Sequence, residues 1–247
     1  MNPNLDLSGQ VALVTGASRG IGRDLARSIA RAGATVLAGV RAADDAPKME
    51  DLDIRPLVMD VCDVPGTRRA VDGAVDELGR LDILVNNAGV GREHDPLDVT
   101  EADWDELLEP NLKGAFFTTQ AAARHMLERG YGRVVMISSQ ASLVGLPRSA
   151  VYCATKAGVN GLVRALAMEW GTGGVTVNAV APTWIYTPGT SERLDDPPFL
   201  RSVIDRIPVG RVGTTDDVAA AVLYLASPAA GLVTGAVLPV DGGWTAQ

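Results

Sequence analysis

The chain of 247 residues has few of the residues on which several protein classes depend. Its two cysteines, Cys62 and Cys153, and its two histidines show no metal-binding or disulfide spacing, so we expect reduced thiols and no metal. No run of lysine and arginine stands out against the net charge of −8, which disfavours a nucleic-acid binder. No apolar stretch has the length of a membrane span, and the polar start MNPNLDLSGQ is unlike a signal peptide. We therefore expect a cytoplasmic protein whose partner is a small molecule.

The sequence does contain a regular alternation of short apolar runs and helical segments. Hydrophobic residues make up 47% of the chain, enough for a sizeable core. Runs such as 11–14 and 132–138 predict buried strands, and a segment such as 151–170 predicts a helix. No linker or repeat divides the chain. The pattern predicts a single α/β domain over residues 1–247, a doubly wound parallel sheet (Rossmann fold) of about seven strands with helices on both faces.

The first predicted strand leads into a glycine-rich turn, TGASRGIG at 15–22. Gly16, Gly20 and Gly22 allow the backbone to turn tightly and a pyrophosphate to approach it. The helix that follows offers free N–H groups and the positive end of its dipole. The spacing G-x-x-x-G-x-G differs from the usual G-x-G-x-x-G dinucleotide fingerprint. Taken alone it also fits a tight turn without a ligand, so the interpretation depends on the rest of the chain.

The second predicted strand ends at Val40 and Arg41, where a dinucleotide-binding fold usually has an acid that holds the ribose of NAD. Arg41, together with Arg19 in the glycine turn, can instead pair with the 2′-phosphate of NADP(H). The alternative is two solvated surface arginines. Asp60 and Val61 end the third strand and suit an adenine, through one hydrogen bond and one apolar contact. Asp60 can also cap the helix that follows.

Small or polar residues follow five predicted strands at their carboxyl ends: Gly16, Asp60, Asn86, Ser139 and Pro182. Ligands of doubly wound sheets bind beyond the carboxyl ends, at the point where the strand order reverses. We therefore expect these positions to meet at one site. The alternative for Asn86 is a structural one, in which it ties neighbouring loops together.

Tyr152 and Lys156, in YCATK at 152–156, share one face of a predicted helix. An ammonium near a phenol favours the phenolate and lowers the pKa of the tyrosine, which can then serve as general acid or base. This spacing alone also occurs on ordinary surface helices. Ser139 strengthens the catalytic interpretation, because its hydroxyl can hold a substrate oxygen beside the phenol. The pair Pro110-Asn111 interrupts a long helical stretch and predicts a break with freed carbonyls.

Together these motifs resemble those of the short-chain dehydrogenases/reductases. The resemblance extends from Gly9 to Gly243 and includes NNAG at 86–89 and VDGGW at 240–244. It implies a catalytic tetrad whose members are Asn111, Ser139, Tyr152 and Lys156. Tyr152 would exchange a proton with the substrate oxygen that Ser139 holds, while Lys156 would bind the nicotinamide ribose and lower the pKa of Tyr152. Asn111 would hold a water through its helix break and extend a proton relay to solvent.

The strand ends and the resemblance together define an expected cofactor site. Ile185 and Thr187 match positions that hold the nicotinamide carboxamide. Two departures from the family pattern are Thr183, where a glycine is usual after Pro182, and Cys153, where serine or alanine is common. The residues expected to contact NADP(H) are Gly16, Ser18, Arg19, Gly20, Ile21, Gly22, Arg41, Asp60, Val61, Asn87, Ala88, Gly89, Tyr152, Lys156, Pro182, Ile185 and Thr187. NAD(H) is the less favoured cofactor.

The substrate is less defined by the sequence. The chain is similar to 3-oxoacyl-carrier-protein reductases and, in IPVGRVG and VDGGWTAQ, to sugar-acid dehydrogenases of the gluconate 5-dehydrogenase type. We favour a small sugar, sugar acid or similar hydroxy/keto compound, and the acyl-carrier-protein reductase is the alternative. A non-catalytic NADP(H) sensor is the alternative of another class, which the complete tetrad disfavours. The candidate substrate residues are His94, Gln140, Arg148 and Trp184.

Two further expectations concern a lid and an assembly. Residues 188–207 carry prolines and a glycine without a clear period, and predict a loop or loosely held helical segment that closes over substrate. The resemblance, together with small residues along 101–128 and 150–170, implies a homo-oligomer, for which we expect a tetramer. The small residues concerned are Ala121, Ala122, Ala154, Ala165 and Ala167.

Overall fold

The computed structural model describes residues 5–46 and 52–246. Within these ranges, seven strands form one sheet with every neighbouring pair parallel. The strands are β1 (Val11–Thr15), β2 (Thr35–Val40), β3 (Ile54–Val58), β4 (Ile83–Asn86), β5 (Gly132–Ile137), β6 (Val175–Pro182) and β7 (Val237–Val240). Their order is β3-β2-β1-β4-β5-β6-β7, so the order reverses between β1 and β4. The predicted doubly wound fold is confirmed.

Helices cover both faces of this sheet. They are α1 (Gly20–Arg31), α2 (Val64–Leu78), α3 (Glu101–Leu108), α4 (Ala115–Arg129), α5 (Ala150–Trp170), α6 (Ser191–Leu194), α7 (Pro197–Ile204) and α8 (Thr215–Ala226). The central strand β1 supplies both cores: Ala12 and Val14 pack with α1 and α8, while Val11 and Leu13 pack with α2, α4 and α5. A strand buried on both faces is apolar throughout, which explains the uninterrupted run at 11–14.

The long helical stretch after residue 100 is divided as the sequence predicts. Thr100 and Asp103 form a capping box at the start of α3. A π-helical segment, Glu109–Gly114, then separates α3 from α4. Pro110 lies at the start of this segment, where its missing N–H and its ring disfavour a regular α-helical turn. The predicted break at Pro110-Asn111 is therefore a widened helical turn.

Two strand boundaries differ from those that the apolar runs of the sequence predict. The run 56–59 predicts a strand that starts at Pro56, whereas β3 begins at Ile54 and, as an edge strand, tolerates this proline. The run 175–180 predicts a strand that ends at Val180, whereas β6 extends to Pro182. Residues 188–207 contain α6 and α7, because Pro197 and Pro198 occupy the first turn of α7 and Asp196 caps it through the backbone N–H of Phe199. In the described ranges, no helix has both the length and the apolar character that crossing a bilayer requires.

Candidate active site

The glycine turn between β1 and α1 lies directly against the segment after β4. Gly16 has a φ of +64°, and a Cβ there would lie 2.9 Å from the Cα of Ala88. A Cβ at Gly22 would lie 2.3 Å from both the Asn87 side-chain nitrogen and the Gly16 carbonyl oxygen. Protein packing alone therefore requires glycine at these two positions. Gly20 differs, because the nearest atom to a Cβ there is the Cβ of Thr187, at 3.7 Å.

Thr15 and Asn87 fix this turn to β4. Asn87 Nδ2 donates to the carbonyl oxygens of Thr15 and Gly16, at 3.0 and 3.2 Å. The Thr15 hydroxyl oxygen accepts hydrogen bonds from the backbone N–H groups of Asn87 and Ala88, both at 3.0 Å. The amide of Asn87, predicted to contact the cofactor, is thus committed to shaping the turn. Asn86 donates to the Thr119 hydroxyl at 2.7 Å, which fits its structural alternative.

The arginines predicted to clasp a 2′-phosphate are available for a ligand. Arg19 and Arg41 are both exposed, and neither pairs with another side chain in the described part of the protein. Arg41 and Asp60 line the same cleft at the carboxyl ends of β2 and β3. Asp60 does not cap α2, since it accepts from the N–H of Cys62, and Asp63 is the capping residue. The alternative role of Asp60 as a helix cap is therefore wrong.

Asn111 lies in the π-helical segment and is 2% exposed. Its Oδ1 accepts from the N–H of Val90, and its Nδ2 donates to the carbonyl oxygen of Val90, each at 2.8 Å. Nδ2 also reaches the Thr155 hydroxyl oxygen of α5 at 3.4 Å. Both ends of the amide are therefore used to hold the loop after β4 against α5.

Ser139, Tyr152 and Lys156 meet where the end of β5 faces α5. Lys156 is 6% exposed, and its Nζ donates to the carbonyl oxygen of Ile137 at 2.9 Å. Burial lowers the pKa of Lys156 to about 8. Burial also raises the pKa of Tyr152, and a hydrogen bond with Ser139 opposes this by favouring the phenolate.

The lysine is held beside the phenolic ring by the end of β5. Lys156 Nζ lies 5.7 Å from the centroid of the Tyr152 ring and donates to the carbonyl oxygen of Ile137. The lowering of the tyrosine pKa by Lys156 stays a prediction. The hydrogen bond with Ser139 is the contact that favours the phenolate here.

A chain of hydrogen bonds that the sequence analysis missed fixes Ser139 to α5. Ser138 Oγ donates to Asn160 Oδ1, and Asn160 Nδ2 donates to Ser142 Oγ, each at 2.8 Å. Ser142 Oγ in turn donates to the carbonyl oxygen of Ser139 at 2.5 Å. Asn160 follows Lys156 by one helical turn on the face that carries Tyr152, and this spacing was the signal available in the sequence.

The segment after β6 crosses to the glycine turn. Ile185 is buried and pairs with Gly213 in an isolated parallel bridge. Thr187 is the neighbour of Gly20, and Thr190 Oγ1 ties the segment together by donating to the Ile185 carbonyl oxygen at 2.6 Å. Pro182, Ile185 and Thr187 therefore extend from the sheet edge to the turn. Thr183 Oγ1 is buried without a partner among the described residues.

The four candidate substrate residues lie on loops around the same sheet edge. The backbone N–H of His94 donates to the carbonyl oxygen of Arg148 at 2.9 Å, so these two loops run side by side. Trp184 packs against the buried cluster of Val203, Ile207 and Trp244, which residues of the 143–148 loop also contact. It meets Phe199 of α7 edge to face at 5.2 Å. Gln140 is 3% exposed, and its Oε1 has no hydrogen-bond partner in the described ranges. Within those ranges, no group of three or more His, Cys, Asp and Glu side chains is placed to hold a metal ion.

The sequence profile of the family described as enoyl-(acyl carrier protein) reductase matches residues 16–245. The chain belongs to the short-chain dehydrogenase/reductase family. The predicted family and enzyme class, an oxidoreductase, are thereby confirmed. The match includes the glycine turn, the π-helical segment and the Ser139–Tyr152–Lys156 cluster.

The relatives of this chain are named for different substrates. The chain is 37% identical to the 2-dehydro-3-deoxy-D-gluconate 5-dehydrogenase of Escherichia coli (strain K12), over 98% of this chain and 97% of the relative. It is 38% identical to the 3-oxoacyl-[acyl-carrier-protein] reductase FabG of Thermotoga maritima, over 96% and 98%. The crystal structure of a gluconate 5-dehydrogenase from Burkholderia cenocepacia J2315, in complex with NADP and tartrate, matches with a TM-score of 0.96 at 36% identity, covering 99% of this chain and 98% of that one.

Proposed function

We propose that this member of the family is an NADP(H)-dependent oxidoreductase that interconverts a secondary alcohol and a ketone in a small sugar, sugar acid or similar compound. The observation that carries the proposal is the meeting of Ser139, Tyr152 and Lys156 at the sheet edge that also holds the glycine turn. Relatives named for sugar acids and polyols support the substrate class.

The residues at the sheet edge fit a dinucleotide with a 2′-phosphate. Arg19 precedes α1 without capping it, and the first turn of α1 has no acidic residue, so no side-chain cap among the described residues occupies its N–H groups. Such a helix start suits a pyrophosphate. The unpaired guanidinium groups of Arg19 and Arg41 suit a 2′-phosphate. Three solved relatives contain NADP, which supports NADP(H) as the cofactor.

When bound, NADP(H) supplies the hydride acceptor or donor of the reaction. Tyr152 takes the hydroxyl proton of the substrate as the carbon loses its hydride, and returns it in the reverse direction. Ser139 donates a hydrogen bond to the same substrate oxygen. Lys156 has three ammonium protons and uses one at the Ile137 carbonyl, which leaves two for the ribose hydroxyls. Because the side chain of Asn111 is occupied by Val90, we assign the water of the proton relay to the backbone of the π-helical segment.

The second candidate is a 3-oxoacyl-[acyl-carrier-protein] reductase, which the similarity to FabG favours. Two observations support the smaller polar substrate. Gln140 Oε1 is buried without a partner in the described ranges, and a substrate hydroxyl would satisfy it. The chain is also acidic, with a net charge of −8, whereas an acidic carrier protein requires an opposing basic surface.

A substrate panel tests the proposal. D-gluconate, 2-dehydro-3-deoxy-D-gluconate, hexitols and an acetoacetyl thioester are assayed with NADP(H) and NAD(H) by nicotinamide absorbance. Tyr152→Phe should lower kcat by about 10²- to 10⁴-fold while the enzyme still binds NADPH. Preferential turnover of the thioester would favour the second candidate. If no alcohol or ketone is turned over and Tyr152→Phe leaves NADPH binding unchanged, the sensor alternative stands.

We also propose a homotetramer, although only two of the five small residues named from the sequence are exposed to a partner. Ala121, Ala122 and Ala167 are buried in the chain's own core and are not available to a partner. Ala154 and Ala165 are exposed on α5 and remain candidates for a helix–helix interface. Light scattering at micromolar concentration would distinguish a tetramer from a monomer.

A further inference from the structure

Arg193, on α6, is a charged side chain that neither the proposed tetrad nor the cofactor site uses. Its guanidinium carbon lies 4.3 Å from the ring centroid of Phe199 and 5.0 Å from that of Trp184. Its Nη1 forms an ion pair with Glu93, which is 100 positions away in the loop after β4. One guanidinium therefore joins the α6–α7 segment, the wall after β6 and the loop after β4.

These contacts place Arg193 beside the loop that passes near Tyr152. A Cβ at Gly91, two residues before Glu93, would lie 3.8 Å from Cε2 of Tyr152. Trp184 follows Pro182, the last residue of β6, by two residues. The guanidinium thus joins a loop that passes close to the catalytic tyrosine and the aromatic side chains that follow β6.

The chemistry of this arrangement is that of a carboxylate receptor. The two aromatic rings constrain the guanidinium and restrict its orientation. Glu93 uses only Nη1, and Nε and Nη2 have no hydrogen-bond partner in the described part of the chain. The Arg193 side chain is 45% exposed and that of Glu93 is 38% exposed, so both can be reached by a ligand. A bidentate partner would use the fork of donors more fully than Glu93 does.

We propose that Arg193 recognises the carboxylate of an acidic sugar substrate and releases Glu93 as it does so. The exchange replaces one carboxylate by another, so the guanidinium never becomes an unpaired charge in the cleft. This inference rests on the proposed function, because it assigns the acid group within that substrate class. Through Arg193, the negative charge of the substrate would interact directly with the α6–α7 segment.

Arg201, on α7 of the same segment, provides a matched control. It is exposed, and it has no aromatic or ion-pair contact within the described ranges. Because arginine and methionine have similar helix propensities, Arg201→Met removes the charge with little effect on α7.

The test compares D-gluconate with D-gluconamide, its neutral amide, in the wild-type enzyme and three variants. Arg193→Met retains the chain length and the contacts with the two rings but removes the charge. We expect it to raise the KM for D-gluconate roughly 10- to 100-fold, with kcat and the KM for D-gluconamide changed less than about three-fold. Arg201→Met should change neither KM by more than about three-fold. Glu93→Gln should lower the KM for D-gluconate, since the competing carboxylate is gone.

The outcomes separate this inference from the function on which it rests. If the wild type turns over neither compound nor any other alcohol of the panel, the proposed function fails. If the wild type is active but Arg193→Met affects the acid and the amide equally, Arg193 has a structural role and the inference is overturned. An acid-specific loss in Arg201→Met, or a loss in Glu93→Gln equal to that of Arg193→Met, overturns it as well. Binding of NADPH, followed by its fluorescence, verifies that each variant is folded.

Discussion

The two sides of the site are built in opposite ways. On the side of the glycine turn, backbone packs on backbone, and Gly16 and Gly22 leave no room for a side chain. On the side of residues 183–207, side chains make the contacts, and Thr183 Oγ1 is buried without a partner in the described chain. The first construction is fixed by geometry that few sequences satisfy. The second can be changed one side chain at a time, which is how one fold serves different substrates.

The largest effect expected from this contrast is at Gly22. A Cβ there would meet the Gly16 carbonyl oxygen and the Asn87 side chain at 2.3 Å, and the carbonyl cannot move without disturbing the turn. We expect Gly22→Ala to lower the free energy of unfolding by about 1–3 kcal/mol and to weaken NADPH binding. Gly189→Ala is the matched control, because the nearest atom to a Cβ there is 3.8 Å away. If the two variants have equal unfolding midpoints in denaturant, the glycine turn has room for a side chain and the contrast between the two sides of the site is wrong.

The next effect is at Arg41, on the same side of the site. Its guanidinium is exposed and unpaired in the described chain, so its removal should leave the fold intact. Loss of a charge-assisted pair with the 2′-phosphate costs about 1.5–3 kcal/mol. The KM for NADPH should therefore rise about 10- to 150-fold in Arg41→Ala, while the KM for NADH stays the same. A wild-type enzyme that uses NADH as well as NADPH would count against this assignment.

A smaller effect is expected from Lys156, which lies between the two sides. Burial lowers its pKa to about 8, from an ordinary value of 10.5. Between these two values the unfolded chain binds more protons at this residue than the folded protein, so the lysine contributes a free energy of unfolding that rises with pH. The slope is at most about 1.4 kcal/mol per pH unit. Denaturant unfolding of the wild type and Lys156→Met from pH 7 to 10 should show this slope in the wild type only. If the free energies of unfolding of the two proteins change with pH in parallel, the lysine is not desolvated in the folded protein.

The smallest effect concerns the motion of residues 188–207, which we propose as a substrate lid. This segment has two short helices, held by contacts such as Tyr186 Oη with Asp195 at 2.8 Å. We expect faster amide exchange there than in α1, and slower exchange once NADPH is bound, because Thr187 lies beside the turn that binds the cofactor. Hydrogen exchange with and without NADPH measures both. High protection in the free protein that does not change would identify a rigid wall.

The sequence predicts the glycine-turn side well and the opposite side poorly, for a physical reason. Gly16, Gly20 and Gly22 lie close together in the chain and encode a local backbone path, and Tyr152 and Lys156 share a helix face. The contact of Arg193 with Glu93 joins residues 100 positions apart, and no local period reports it. The composition of 188–207 fitted both a loop and a loosely held helical segment, and Pro197 and Pro198 in fact begin a helix. The pKa shift of Tyr152 also depended on burial, which residue spacing does not reveal.

The π-helical segment makes this part of the chain sensitive to length. It contains Asn111, whose amide holds the loop after β4 at Val90. Removing one residue other than Asn111 from 109–114 would allow a regular α-helix and rotate α3 by about 100° relative to α4. Asn111 would then face away from Val90, although every functional side chain would still be present. A single-codon deletion here would therefore be more damaging than most substitutions, and related chains should keep the same number of residues between Thr100 and Gly114.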